Sequence, residues 1–235
     1  MSKQDNGFES IFYNLPGLVF AKDLNLNYVG MNKNLLSLLN LNNDDLVIGN
    51  NDYHLQWQQY ADIYQAEDKF IINKKKSYQF IEPLLLDDKK ELISIVKKSL
   101  NYDENNNPIG VIGTIISLKA KTAVKSMCKL TQYDFANGFN KGRNSYIICD
   151  EIFSDLNLSK RESECLFYLI HGKTAKLIAK QLNISTRTVE SYINNLKYKL
   201  NCETKNDIID RSIELGIMHF IPSQYLLENV GQNYL

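Results

Sequence analysis

Residues 185–200, STRTVESYINNLKYKL, decide how this chain is read. Wound into a helix at about 100° per residue, they bring Val189, Ile193, Leu196 and Leu200 into one narrow apolar stripe that has to pack inward. The opposite face is then fixed. It carries Arg187, Ser191, Asn194 and Tyr198, flanked by Glu190 and Asn195. Such a row suits base edges in a major groove, where Arg forks to guanine, Asn pairs with adenine and Glu accepts from cytosine. Lys197 and Lys199 stand toward the edges of this face, where phosphates would run. An ordinary wet surface helix would also carry a polar face, so the segments on either side have to decide.

Working outward, Ser159-Lys-Arg-Glu162 has the pattern of a capping box, in which Ser159 accepts from a backbone N–H while Glu162 reaches back. The helix it starts buries Cys165, Leu166, Leu169 and Ile170 and ends at His171-Gly172, where Gly supplies a left-handed cap. Thr174 caps a second helix running to about Leu182, with Leu177, Ile178 and Leu182 turned inward. Asn183-Ile184 is then a tight turn, and Ser185 or Thr186 caps the third helix. Two short helices joined so briefly form a helix-turn-helix. A fourth helix is expected from Thr204 to Leu215, ended by Gly216, with Ile208, Ile209 and Ile213 apolar.

Upstream, the pattern is mixed. Val19-Phe20 and Tyr28-Val29 are short β-prone runs separated by turn formers. Asn32–Leu39 and Tyr53–Ile72 have helix-compatible spacing. Three further β-prone runs follow: Tyr78–Leu86, Glu91–Leu100 and Ile109–Leu118. Residues 119–139 are rich in helix formers and read as a helical linker. The expected fold class is α+β: an N-terminal antiparallel sheet with helices over residues 8–118, a helical linker over 119–155, an all-α four-helix domain over 156–220, and a tail over 221–235.

The 235 residues carry 27 basic and 27 acidic side chains, but the balance is uneven along the chain. Residues 121–200 hold 13 basic and 7 acidic groups, a net +6, whereas the segments before and after are each at −3. The stretch that would meet a polyanion is therefore the one that holds the helix-turn-helix. No run of about 18 apolar residues occurs, and the opening residues lack a basic segment followed by an apolar one. A cytoplasmic protein with no membrane association is expected. Cys128, Cys149, Cys165 and Cys202 show no C-x-x-C spacing, which argues against a zinc knuckle or a disulfide framework. No P-loop, G-x-G-x-x-G, G-x-S-x-G or metal-spaced His/Glu pair is present, so no enzymatic activity is expected.

LSKRESECL (158–166), Gly172, KLIA (176–179), LNIS (182–185), Thr188-Val189-Glu190 and NLKYKL (195–200) resemble the DNA-binding domain of LuxR/NarL-type bacterial transcription regulators. The resemblance spans roughly Leu156 to Ile217. It implies that the third helix enters the major groove of double-stranded promoter DNA and that the fourth commonly pairs two protomers as a homodimer; Ile208, Ile209 and Ile213 either serve that pairing or simply close the domain core. Matching positions make Lys176, Thr186, Glu190, Ser191 and Asn194 the foremost candidates for DNA contact, followed by Thr174, Ser185, Arg187 and Lys197. Two positions depart from the family pattern: Leu177 where an acid is usual, and Tyr192 where a histidine is usual.

LPGLVFAKD (15–23), YVGMN (28–32), IGNND (48–52) and NPIGVIGT (107–114) resemble a PAS sensor domain, and two strands, helices and three strands is the PAS order. The resemblance implies haem, flavin, a small-molecule ligand or no ligand at all. A cysteinyl-flavin adduct is excluded, because every cysteine follows residue 120. Haem is disfavoured, because His54 is the module's one histidine and stands where a helix cap would. Tyr53, Trp57, Tyr60 and Tyr64 recur at spacings of three to four and either fill the core or line a ligand pocket. The competing reading for the whole chain is a PAS adaptor that binds another protein and no DNA.

Overall fold

The structure, a computed structural model, describes residues 6–41, 46–86, 91–118 and 145–223. These fall into two units, residues 6–118 and residues 146–223.

The first unit opens with helix α1 (Asn6–Tyr13) and is built on a five-stranded antiparallel sheet. Its strands are β1 (Leu18–Asp23), β2 (Tyr28–Met31), β3 (Tyr78–Leu85), β4 (Glu91–Tyr102) and β5 (Pro108–Leu118), in spatial order β2-β1-β5-β4-β3. Helices α2 (Lys33–Leu38) and α3 (Ala61–Lys74) lie between the two early and three late strands, in the succession that the PAS resemblance implies. Asn32 ties the opening together. Its Oδ1 accepts from Val19 N and Leu35 N, and its amide donates to the carbonyls of Leu15 and Gly17. The core is aliphatic and aromatic: Phe20, Tyr28, Leu35, Ile71, Phe80, Val96 and Val111 are all buried. The β1–β5 pairing depends on glycine, since a Cβ at Gly110 would stand 1.9 Å from the Lys22 carbonyl oxygen and one at Gly113 2.2 Å from the Phe20 ring. No side chain larger than hydrogen fits there unless the strands separate.

The helix expected over Tyr53–Ile72 is shorter than its periodicity suggested. Two single 3₁₀ turns, Asp52–His54 and Gln58–Tyr60, precede α3. Asn51 causes the first by accepting from Tyr53 N at 3.1 Å, a local bond that competes with helix continuation and turns Asp52 into the interior.

The second unit contains α4 (Glu151–Asp155), α5 (Lys160–Ile170), α6 (Ala175–Leu182), α7 (Thr186–Leu200) and α8 (Lys205–Glu214). Ser159 and Glu162 form the expected capping box. Thr204 and Asp207 form a second one, at the start of α8. Leu177, expected inside, is instead about half exposed, while Ile178, Ala179 and Leu182 are buried. The inward stripe of α6 is thus set one residue later than an inward Leu177 would require. Residues 119–144 of the expected helical linker and 224–235 of the expected tail lie outside the described residues. Within the remainder, Tyr146–Ile148, expected to be helical, is a strand (β6) that pairs in parallel with Phe220–Ile221 (β7). Ser223 N and its hydroxyl both donate to the Asp150 carboxylate, which adds to this clasp.

Candidate nucleic-acid interface and sensor cavity

Helix α7 is positioned by burial. Val189, Ile193, Leu196 and Leu200 are at most 6% exposed, and each fully buried aliphatic side chain contributes about 2 kcal/mol. The stripe packs against α5, α6 and α8. Ser185 caps the helix, its Oγ accepting from Thr188 N at 3.0 Å and lying 2.8 Å from the Thr188 hydroxyl. Asn183, in the left-handed region with φ 53°, makes the turn from α6, and Ile184 N closes it on the Ala179 carbonyl at 3.0 Å. Asn tolerates this conformation better than other residues with a Cβ. Lys199, at the other end of α7, donates to the Asn157 carbonyl and to Glu162 Oε2, both at 2.7 Å. It ties the helix to the capping box of α5 and is not an outward phosphate contact.

Arg187, Glu190, Ser191 and Asn194 lie on the outward face that the periodicity gave them, and Lys176 on α6 and Thr186, named from the family resemblance, are exposed as well. Lys197 is half-buried at their margin. Lys176 and Arg187 make no ion pair among the described residues. Thr174 and Ser185 are exposed too, but their hydroxyls are engaged as caps, Thr174 Oγ1 accepting from Leu177 N at 3.4 Å. The caps use the hydroxyl oxygens as acceptors, so the Thr174 O–H is still available to donate, while the Ser185 hydroxyl also bonds that of Thr188. Tyr198, 88% exposed, extends the same outward face by one turn.

The N-terminal unit holds a cavity of about 30 Å³. Of the four aromatic candidates for a ligand pocket, Trp57 and Tyr64 line it and Tyr53 and Tyr60 do not. Tyr53 is half exposed and donates to Asp62 Oδ1 at 2.7 Å. The turn set by Asn51 directs it outward. Tyr60 is core, its ring packed on Tyr64 at 6.2 Å. His54 is exposed beside Asn51 Oδ1, at 2.8 Å, and is not among the lining residues.

What the sequence reading missed is the charge around this cavity. Lys22, 1% exposed, donates to Asp52 Oδ2 at 2.6 Å and Asp68 Oδ2 at 2.7 Å. Asp52 also accepts from the Tyr28 hydroxyl, the Trp57 indole N–H and the Gln65 amide. Lys98 Nζ, equally buried, lies 2.8 Å from Glu67, 3.0 Å from Asp68 and 3.6 Å from Glu82. Burial opposes the charge of Lys98, but the carboxylates of Asp68, Glu67 and Glu82 outweigh it and raise its pKa well above the usual lysine range. Burial likewise pushes Asp68 up, and Lys98 and Lys22 together bring it below the ordinary value. Glu82 goes the other way, raised well above the carboxylate range by burial and by Glu67 beside it. The available signal was a charge set inside an apolar β run: Lys22 in VFAKD, Glu82 in FIEP and Lys98 in IVKKS.

A capped scaffold helix, a tight turn and a helix with one buried ridge and one polar row define a helix-turn-helix DNA-binding domain. Residues 156–212 match the family of bacterial regulatory proteins, luxR family, so this part of the chain is a LuxR-type domain. The quorum sensing-dependent transcriptional regulator VjbR of Brucella ovis is 37% identical over 70 residues, 30% of this chain and 27% of that protein. The transcriptional activator ExaE of Pseudomonas putida is 38% identical over 61 residues, 26% and 28% of the two chains. The chain thus spans about a quarter of the length of these relatives. Among solved structures, the VqmA dimer of Vibrio cholerae is similar at 26% identity and a TM-score of 0.48, over 94% of this chain and 92% of that one. No helix among the described residues is long and apolar enough to cross a membrane.

Proposed function

We propose that this chain is a cytoplasmic, non-enzymatic, sequence-specific transcription regulator. Its LuxR-type domain, over residues 156–220, meets double-stranded promoter DNA, and its PAS-like unit, over residues 8–118, senses a small molecule or supplies a dimer contact. The observation that carries this reading is the outward row of α7, Thr186, Arg187, Glu190, Ser191 and Asn194, exposed opposite a fully buried aliphatic ridge. Asn194 and Arg187 read base edges, while Lys176 and Lys197 meet phosphates. Thr174 and Ser185, acting as caps, hold the N-termini of α6 and α7 so that their unpaired N–H groups face the backbone of the duplex.

Two such domains in a homodimer reach successive major grooves about 34 Å apart, and Ile213, 58% exposed on α8, marks the face for pairing. A ligand held at Trp57 and Tyr64 acts by favouring one arrangement of the pair over another. Selection of duplexes from a random pool, followed by titration at several salt concentrations, tests the proposal. Binding that weakens with salt and is lost in Asn194→Ala and Lys197→Ala supports it. A folded dimer that retains no duplex, and instead captures a protein through the same face, refutes it.

A further inference from the structure

Tyr198 is the most exposed of the large apolar side chains among the described residues, at 88% against 68% for the next, Leu46. The hydroxyl at its tip has no hydrogen-bond partner among those residues. Other tyrosines are placed differently: Tyr28, Tyr53 and Tyr64 donate to Asp52, Asp62 and the Pro83 carbonyl. Packing does not call for an aromatic ring at 198, because the ridge of Val189, Ile193, Leu196 and Leu200 is complete without it. A single exposed ring carries no meaning by itself. Its place in a row gives it one.

Arg187, Ser191, Asn194 and Tyr198 follow at intervals of four, three and four residues, so they stand above one another along one side of α7. From Arg187 to Asn194 the row runs about 10 Å, which a major groove about 12 Å wide accommodates. Tyr198 stands about 6 Å further on, past that width. A recognition helix reads base edges with its N-terminal residues, so its C-terminal end passes over the edge of the groove, where sugars and phosphates run. A phenol suits that place, with an apolar ring to lie against deoxyribose and an O–H to donate to a phosphate oxygen. Charge selects the partner. Arg187 and Lys197 share this side of α7 with Glu190 as the one acid, which matches a polyanion and sets like charge against a second copy of the same face.

We propose that Tyr198 is a further DNA-binding residue, whose hydroxyl donates to a backbone phosphate at the edge of the groove that Arg187 and Asn194 read. The inference rests on the reading of α7 as the recognition helix and extends its contact by one turn. The contact has a signature of its own. A neutral donor releases no counterion, so its loss lowers affinity without altering the dependence on salt. It carries no base information, so the loss is the same on every duplex. Lys197 differs in the first respect and Asn194 in the second.

The test compares the unaltered full chain with Tyr198→Phe, Tyr198→Arg and Asn194→Ala by fluorescence anisotropy. Each is titrated over a salt series on the selected duplex and on one with an altered site. Tyr198→Phe keeps the ring and removes only the hydroxyl. It is expected to bind both duplexes about tenfold more weakly, the weight of a hydrogen bond to a charged group, with an unchanged salt slope. Tyr198→Arg is expected to regain the affinity at low salt and to steepen the slope by about 0.9. Duplexes in which one phosphate at a time is replaced by a neutral methylphosphonate then locate the partner: at one position the penalty of Tyr198→Phe disappears. Both Tyr198 variants are expected to unfold in urea at the parent's midpoint. Equal affinity of Tyr198→Phe and the unaltered chain overturns the inference, as does a loss confined to one duplex, a shifted urea midpoint, or a change in dimer dissociation with none in DNA affinity. If Asn194→Ala loses base preference while Tyr198→Phe loses nothing, this inference alone fails. If the unaltered chain binds no duplex, the regulator reading fails first and takes this one with it.

Discussion

Neighbouring residues on α7 should separate folding from function. Ile193 is 1% exposed in the middle of the buried ridge, and Asn194, the next residue, is exposed on the opposite row. Truncating Ile193 to Ala removes three carbons, each worth about 0.8 kcal/mol of transfer free energy, and leaves a cavity among α5, α6 and α8. The expected loss is about 3 kcal/mol, within the range of roughly 2–5 for such changes. Asn194→Ala touches no packed surface and should stay within about 0.5 kcal/mol of the unaltered chain. On the selected duplex the effect of Asn194→Ala should be large: one base contact is worth about 1–3 kcal/mol, or roughly fivefold to 150-fold in Kd. Urea unfolding of the two variants and fluorescence anisotropy on labelled duplex give both quantities. If Asn194→Ala proves as destabilising as Ile193→Ala, or binds the duplex as tightly as the unaltered chain, the assignment of the two faces is wrong.

Lys197→Ala should make the dependence of log affinity on log salt concentration shallower by about 0.9, one phosphate contact, with little change in base preference. Asp68→Asn removes the carboxylate shared by Lys22 and Lys98 and should cost the N-terminal unit about 1–3 kcal/mol, because each buried ammonium loses one charge-assisted hydrogen bond while Asp52 and Glu67 still neutralise them; a urea midpoint unchanged from the parent would contradict this. Lys199→Met should weaken the C-terminal unit by about 1 kcal/mol at neutral pH, as expected for a partly exposed ion pair. Burial raises Glu162, but the hydrogen bonds from Lys199 and from Ser159 leave its pKa below the ordinary glutamate value. The stability it contributes is therefore present above the unfolded pKa and is lost as pH falls through the folded one. Acid unfolding followed by circular dichroism should move to higher pH in Lys199→Met.

The C-terminal domain was legible because its information is local. A 3.6-residue period over α7, hydroxyl caps at Ser159, Thr174, Ser185 and Thr204, and left-handed residues at the ends of helices each announce themselves within a few positions. The one inward residue misplaced, Leu177, sits in a helix of 8 residues, too short for period alone to fix its face. The sheet of the first unit was legible as five β-prone runs, but the charged cluster around its cavity was not. Lys22, Asp52, Asp68 and Lys98 are up to 76 positions apart, and a charged residue read singly belongs on the surface. Only the pairing of β1 with β5 and of β4 with β3 and β5, together with the turn at Asn51, brings them to one place. The aromatic spacing from Tyr53 to Tyr64 misled for a related reason, since helical angles apply only where the helix is continuous. Strands β6 and β7, of 3 and 2 residues, are too short to show any alternation.

The pairing of β6 with β7 has a topological consequence for the C-terminal unit. Its incoming and outgoing chain run side by side in the same direction, stitched at Cys149 N to the Ile221 carbonyl, so the helices between them form a loop closed at a single doorway. Tension applied along the incoming chain is taken up at that seam before it reaches the interior. The ridge that holds α7 in place lies within that closed loop, so the seam stands between the chain ends and the packing on which the helix depends.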